Sequence, residues 1–126
     1  MRIYLCSRVA ADAHAYNNLV AAALKALGHE VFVPHLAEYN EREGASESEI
    51  FRQDFTQMLE ADACVVVGRV GIDCAWEMGW FSGSGKPIYW VLSYLHEKTS
   101  PMLNGIRRID SVTDLKETLN GNQRAG

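Results

Sequence analysis

Apolar and polar positions alternate along the chain with periods that change from segment to segment. Residues 2 to 6, Arg-Ile-Tyr-Leu-Cys, form an apolar run of strand length. Beyond it, Tyr16, Leu19, Val20, Ala23, Leu24 and Leu27 recur at intervals of three and four, the spacing of one helix face. Gly28 stands where such a helix needs a C-cap. Glu30-Val31-Phe32-Val33-Pro34 predicts a second strand that stops at its proline. Residues 35 to 47 hold Glu38, Glu41, Glu43, Gly44 and Glu47 with little apolar periodicity, which predicts an acidic loop and a candidate lid. A second helix is predicted from an N-cap at Ser48 to about Ala61, with Ile50, Phe51, Phe55, Met58 and Leu59 on its inner face. Asp62 to Gly68 is β-branched and apolar without alternation, as in a central parallel strand covered on both faces. A helix over residues 72 to 82 follows, then a strand from Lys86 to Leu92, a weaker strand from Ile106 to Ile109 and a helix from Val112 to Leu119.

Strands and helices in this alternation predict an α/β fold: a three-layer α/β/α sandwich around a mainly parallel five-stranded sheet with right-handed crossovers. At 126 residues there is length for one hydrophobic core. We expect a single domain over residues 1–122 and a disordered tail over 123–126. Ligands of such sheets sit beyond the carboxyl ends of the strands, which directs attention to Cys6 to Ala10, His35 onward, Gly68 to Glu77 and Ser93 onward.

Composition narrows the function. Twelve Lys and Arg against 16 Asp and Glu give a net charge of -4 with no basic block, which argues against nucleic-acid polymers as partners. No apolar run approaches the roughly 18 residues that span a bilayer, and the N-terminus lacks the pattern of a secretory leader, so a cytoplasmic protein without membrane contact is expected. Three cysteines, Cys6, Cys64 and Cys74, are far apart, with no Cys-x-x-Cys pair and no His at zinc-site spacing. They are expected to be reduced, buried and without metal. Neither a dinucleotide-binding Gly-x-Gly-x-x-Gly nor a phosphate-loop motif is present.

Glu77 is the sharpest chemical signal. On a helix its neighbours at three and four residues include Cys74, Trp80 and Phe81, and Trp76 and Met78 flank it in the chain. A carboxylate in that company is desolvated and its pKa is raised, unless it pairs with Arg69 or with backbone donors. Asp54 lies four residues from Ile50 and Met58, within the apolar stripe of its own helix, where it is either an edge-of-stripe residue or a second active-site carboxylate. Two convergent carboxylates suit chemistry at a sugar C1: one attacks or stabilises an oxocarbenium-like centre, the other holds a hydroxyl or manages a proton. Asp73 is a further candidate, although an aspartate early in a helix also serves the helix dipole. The four histidines, the tryptophans with Phe81, and Arg69, Arg107 and Arg108 read as surface, core and exposed charge respectively, with His35 alone noted as able to face a base.

The run from Ile50 to Val67 containing Asp54, then Glu77-Met-Gly79-Trp80 and Gly85-Lys86-Pro87-Ile88, resembles the nucleoside 2-deoxyribosyltransferases and the related 2′-deoxynucleoside 5′-phosphate N-hydrolases. Ile3-Tyr4-Leu5-Cys6 and Ser100-Pro101-Met102-Leu103-Asn104-Gly105 extend the likeness over most of the chain. The resemblance implies a flavodoxin-like fold and cleavage of an N-glycosidic bond without metal or other cofactor. Glu77 matches the nucleophile, Asp54 the aspartate that binds the sugar and assists proton handling, and Tyr4 an active-site tyrosine. Ser100 and Met102 match residues that complete a neighbouring subunit's pocket, implying a homodimer or higher homo-oligomer with shared sites. The partners implied are a nucleoside or nucleotide substrate and a free-base acceptor. Gly71 stands where the transferases carry an aspartate that protonates the base and where the hydrolases often carry a phosphate-binding serine. Asp73 is a candidate substitute for the first, and Ser7, Arg8 and Ser100 are candidate contacts to phosphate or hydroxyl. Transfer, hydrolysis of a 5′-monophosphate, and a non-catalytic nucleotide-binding module all remain open at this stage.

Overall fold

The computed structural model describes residues 1–8, 11–37, 44–91 and 106–125. Five strands, β1 (Arg2–Cys6), β2 (Glu30–Phe32), β3 (Ala63–Val67), β4 (Ile88–Val91) and β5 (Arg107–Ile109), pair in the order β2-β1-β3-β4-β5, and every pairing is parallel. Among the described residues four α-helices join them: α1 (His14–Ala26), α2 (Glu47–Glu60), α3 (Ile72–Gly83) and α4 (Val112–Ala125). This is the flavodoxin-like order, and the expected three-layer sandwich forms around a sheet that is parallel throughout.

Side-chain alternation in the strands sets the two outer layers. Ile3, Leu5, Val65 and Val91 meet Val20 and Leu24 of α1 and Leu115 and Leu119 of α4 on one face. Tyr4, Cys6, Cys64, Val66 and Trp90 meet Met58 of α2 and Cys74, Met78 and Phe81 of α3 on the other. The chain leaves β1 for β2 and returns on the far side of β1 as β3. The strand order therefore reverses between β1 and β3, so a crevice opens above their carboxyl ends.

Local chemistry explains the boundaries. Gly28 takes φ +92°, and Gly28 N–H and His29 N–H donate to the carbonyls of Lys25 and Leu24 at 2.9 and 3.3 Å, closing α1 with a left-handed C-terminal turn. The N-cap of α2 is Ser46 rather than the expected Ser48. Its hydroxyl accepts from Glu49 N–H, and Ser46 N–H donates to the Glu49 carboxylate, each at 3.1 Å, a reciprocal pair that Ser48 cannot make because Phe51 stands three residues beyond it. At the other end of α2, Lys86 Nζ donates to the carbonyls of Met58 and Leu59 at 3.1 and 3.0 Å while lying over the Trp80 ring. That contact holds α2 against α3.

Several expectations are corrected. Phe51 and Leu59 are each 56% exposed and do not belong to the inner face of α2. The second strand ends at Phe32, because Pro34 starts a 3-10 turn over Pro34–Leu36. α4 continues to Ala125, into the stretch assigned to an irregular tail. Residues 38–43 of the proposed 35 to 47 loop, and Leu92, lie outside the described residues. No helix among the described residues is long and apolar enough to cross a membrane.

Candidate active site

Tyr4 and Cys6 stand two residues apart on β1, so both point to the face covered by α3. Glu77, in the middle of α3, turns its carboxylate toward them. The Tyr4 hydroxyl donates a hydrogen bond to Glu77 Oε2. The Cys6 thiol lies 3.8 Å from Glu77 Oε1 and 3.6 Å from the carbonyl oxygen of Cys74, two acceptors for one proton. None of the ion pairs among the described residues involves Glu77, and Arg69 is exposed.

Burial pushes the Glu77 carboxyl up to about 7, and the charges of Asp54 and Asp73 push the same way against the hydrogen bonds from Tyr4 and Cys6. Burial, with Glu77 and Asp54 close by, holds the Tyr4 phenol above its ordinary range, so it stays protonated as a donor. The Cys6 and Cys74 thiols are both raised. Hydrogen bonding from Cys64 leads for Cys6 and from Cys6 leads for Cys74, with burial adding to each. The source of Glu77's desolvation differs from expectation. α3 is not apolar and buried all round, since Ile72 is 90% and Trp76 51% exposed. The sheet side, Tyr4 and Cys6, supplies the dry surroundings.

Glu77 opens into a cleft of about 590 Å³ between α2 and α3, within the range of small-ligand sites. Asp54 and Asp73 line the same cleft, together with Glu47 at the start of α2. Asp54 is half-buried and accepts from the Gln53 side-chain amide at 3.1 Å. Phe51, Phe55 and Trp76 form an aromatic wall, with Phe51 and Phe55 stacked at 5.5 Å and Trp76 edge-on to Phe51 at 5.9 Å. Trp76 is thus a cleft residue and not core. Trp90 is core, its indole N–H donating to Gly68 C=O at 2.8 Å and fixing the turn out of β3.

The remaining predicted residues are distributed unevenly. Ser7, at the end of β1, is buried, and its hydroxyl has no hydrogen-bond partner among the described residues. Arg8 is exposed and pairs with Asp12 at 3.4 Å. Gly71 is the N-cap of α3, in extended backbone with φ -93°, and a Cβ added there meets nothing within 4 Å. Ser100 and Met102 lie outside the described residues. His29 and His35 are buried and not surface groups; His35 stacks on His14 at 4.1 Å and lies 3.1 Å from Asn18 Oδ1 instead of facing the cleft. Arg108 is half-buried, over the Trp90 ring.

Residues 3–111 match the family described as nucleoside 2-deoxyribosyltransferase. The chain belongs to this family. It is accordingly an enzyme of N-glycosidic bonds, a transferase or hydrolase. No curated protein sequence matches it. Among solved structures, the 2-deoxyribosyltransferase of Bacillus psychrosaccharolyticus superposes with a TM-score of 0.79 at 24% identity, over 92% of this chain and 90% of that one. The Clostridium botulinum CMP N-glycosidase gives 0.65 at 19%, over 95% and 99%. A conserved protein from Enterococcus faecalis gives 0.78 at 17%, over 97% and 98%. At these identities the likeness establishes the shared fold.

In this 2-deoxyribosyltransferase family member, two further groups stand beside the candidate nucleophile. Cys6 and Cys74 are free and buried, as expected, and both thiols also lie against Glu77. The signals were present: Cys6 is two residues from Tyr4 on a strand, and Cys74 is three from Glu77 on a helix.

Proposed function

We propose that this enzyme cleaves the N-glycosidic bond of a neutral 2′-deoxynucleoside or nucleoside through a glycosyl ester on Glu77, then passes the sugar to a second nucleobase or to water. One observation carries the reading: the Glu77 carboxylate sits partly buried at a cleft, one oxygen held by the Tyr4 phenol, with a second carboxylate, Asp54, lining the same space. In the first step a Glu77 oxygen bonds to C1′ while the C1′–N bond breaks with its electron pair going to the base. The base takes a proton, for which Asp73 is the candidate donor. Asp54 holds the sugar through its hydroxyls. In the second step the acceptor's nitrogen or oxygen displaces the ester and loses its own proton, and Glu77 departs as carboxylate.

The charge of the cleft supports a neutral donor. Among the described residues that line it, Glu47, Asp54, Asp73 and Glu77 carry charge and none is Lys or Arg, so a phosphate dianion entering it meets repulsion. The rival reading, a 5′-monophosphate hydrolase, rests on the unpartnered Ser7 hydroxyl and on Arg8 at the end of β1. Free cysteines accord with a reducing, cytoplasmic setting. A homo-oligomer with shared sites, completed by Ser100 and Met102 of a neighbour, is part of the proposal. The exposed apolar rim formed by Phe51, Ile72 and Trp76 supports it.

The deciding experiment is chromatography of reactions containing 2′-deoxynucleosides, nucleosides or their 5′-monophosphates, each with and without a second free base, for wild type and Glu77→Ala. Base release or exchange from the neutral donors, lost in Glu77→Ala, is expected. Undiminished turnover in Glu77→Ala removes the ester mechanism, and strict dependence on the 5′-phosphate moves the assignment to the rival.

A further inference from the structure

The two thiols beside Glu77 go unused in the glycosyl chemistry. Cys6 Sγ, Cys74 Sγ and a Glu77 carboxylate oxygen all lie within 4.8 Å of one another, and Cys6 Sγ is 3.8 Å from Glu77 Oε1. In a tetrahedral zinc site, donors at roughly 2.0–2.3 Å from the ion stand about 3.5–3.8 Å from each other. The trio is therefore near ligating separation already, and adjustments of about 1 Å or less complete it. Sulfur, sulfur and carboxylate form a donor set that selects zinc-like cations over magnesium or calcium. All three cysteines of the chain are free, so no disulfide competes for these sulfurs.

The approach to the trio is a second, independent observation. The cleft that reaches Glu77 carries the carboxylates of Glu47, Asp54 and Asp73, with no Lys or Arg among the described residues that line it. A concave wall of one sign raises the local concentration of counter-ions, here cations. A divalent ion is thus drawn into the cleft by charge as far as Glu77, beside which the two thiols retain it.

We propose that Cys6, Cys74 and Glu77 form a binding site for a thiophilic divalent cation, with Zn²⁺ as the probe, and that occupation silences the enzyme. Binding forms two Zn–S bonds and one Zn–O bond. The two thiol protons, and that of Glu77 where it is protonated, pass to solvent, and water fills the fourth position. With Glu77 Oε1 bonded to the ion and Oε2 held by the Tyr4 hydroxyl, the carboxylate has no free oxygen to attack C1′. The ion here is an inhibitor and takes no part in turnover. The binding half of the proposal is independent of the reaction; the inhibition half rests on the reading of Glu77 as nucleophile.

The test separates the halves. Wild type, Cys74→Ala, Cys74→Val and Cys64→Ala are titrated with Co²⁺ under a non-thiol reductant, with circular dichroism as the check on folding. Wild type and Cys64→Ala are expected to develop the near-ultraviolet thiolate-to-cobalt absorption and the visible bands of tetrahedral Co²⁺. Either folded Cys74 variant is expected to bind at least tenfold more weakly and to lose thiolate absorption. No absorption in wild type, or absorption undiminished in a folded Cys74 variant, overturns the site whatever the activity assay gives. On whichever nucleoside donor wild type turns over, micromolar Zn²⁺ is expected to inhibit reversibly with chelator, and the Cys74 variants to need at least tenfold more. Equal inhibition of wild type and variants overturns the inhibitory role while leaving the glycosyl reading intact.

Discussion

Glu77 holds its proton to a higher pH than a solvated carboxyl because the sheet side of its pocket is dry, and that one property has opposite effects on catalysis and stability. A nucleophile must be ionised, so kcat/KM is expected to rise with pH along an acid limb near the carboxyl's value of about 7. The Tyr4 hydroxyl favours the ionised form, and Tyr4→Phe removes it without changing the buried ring. The limb in Tyr4→Phe should move to higher pH, with a loss of about 10- to 100-fold at pH 7 that shrinks at pH 9. A pH profile of Tyr4→Phe parallel to wild type rules out this tuning. For stability, the folded carboxyl binds its proton more tightly than the unfolded one, at about 7 against 4.5. Its contribution is therefore fully present below 4.5 and is lost as pH rises through about 7. Glu77→Gln keeps an acceptor for Tyr4 and cannot ionise. It should be inactive yet more stable than wild type at pH 8, by roughly 1–3 kcal/mol, with the gap closing by pH 4 in urea titrations. A variant that is less stable at pH 8 contradicts the assigned desolvation. The carboxylates were legible in the sequence because acidic residues amid Trp, Met and Phe have few structural uses. The thiols were not, because a buried cysteine has the same apolar surroundings whether it packs or ligates.

Elements were legible to different degrees, and capping accounts for most of the difference. β3 was unmistakable, since Ala63-Cys-Val-Val-Val67 is apolar on both faces and every residue in it is buried. The start of α2 was misjudged by two residues because Ser46 and Ser48 compete as caps, and only Ser46 has a glutamate three residues on. The inner face of α2 was misjudged because its cleft side is aromatic too: Phe51 faces the pocket and solvent while Met58 enters the core. The N-terminus of α3 offers a test at this scale. Gly71 caps it in extended backbone with open space about the missing Cβ, so an aspartate fits without strain. Gly71→Asp adds a side-chain cap worth a few tenths of a kcal/mol over glycine, a shift in Tm of about 1–2 °C. It also restores the carboxyl that transferases of this family, by resemblance, use to protonate the leaving base. We expect kcat to rise about tenfold or more with Tm held or slightly raised. A stable Gly71→Asp with unchanged or lower kcat would mean that base protonation in this chain runs through another group, with Asp73 next to be replaced.

At the scale of the molecule, the sheet order creates the crevice between β1 and β3, and the open question is what covers its rim. The alternation of strand and helix made the three layers and the position of the crevice legible from sequence, since right-handed crossovers leave few other arrangements. Subunit contacts were not legible in that way, because an exposed isoleucine and a core isoleucine look alike until the helix is placed. Ile72 is 90% exposed, with Phe51 and Trp76 each about half exposed beside it on the same cleft. In an isolated chain, Ile72→Glu costs almost nothing, because the side chain is already in water. Against a second copy, it forfeits the roughly 1.5–3 kcal/mol gained by burying an isoleucine and adds the cost of an unpaired buried charge. Sedimentation velocity should therefore find wild type at two chain masses or more and Ile72→Glu shifted toward one, with unchanged Tm at low protein concentration. Activity should fall with the mass, since the proposed site takes residues from the neighbour. Should Ile72→Glu keep both its mass and its rate, the rim is open to solvent, and its aromatic wall serves the nucleobase rather than another subunit.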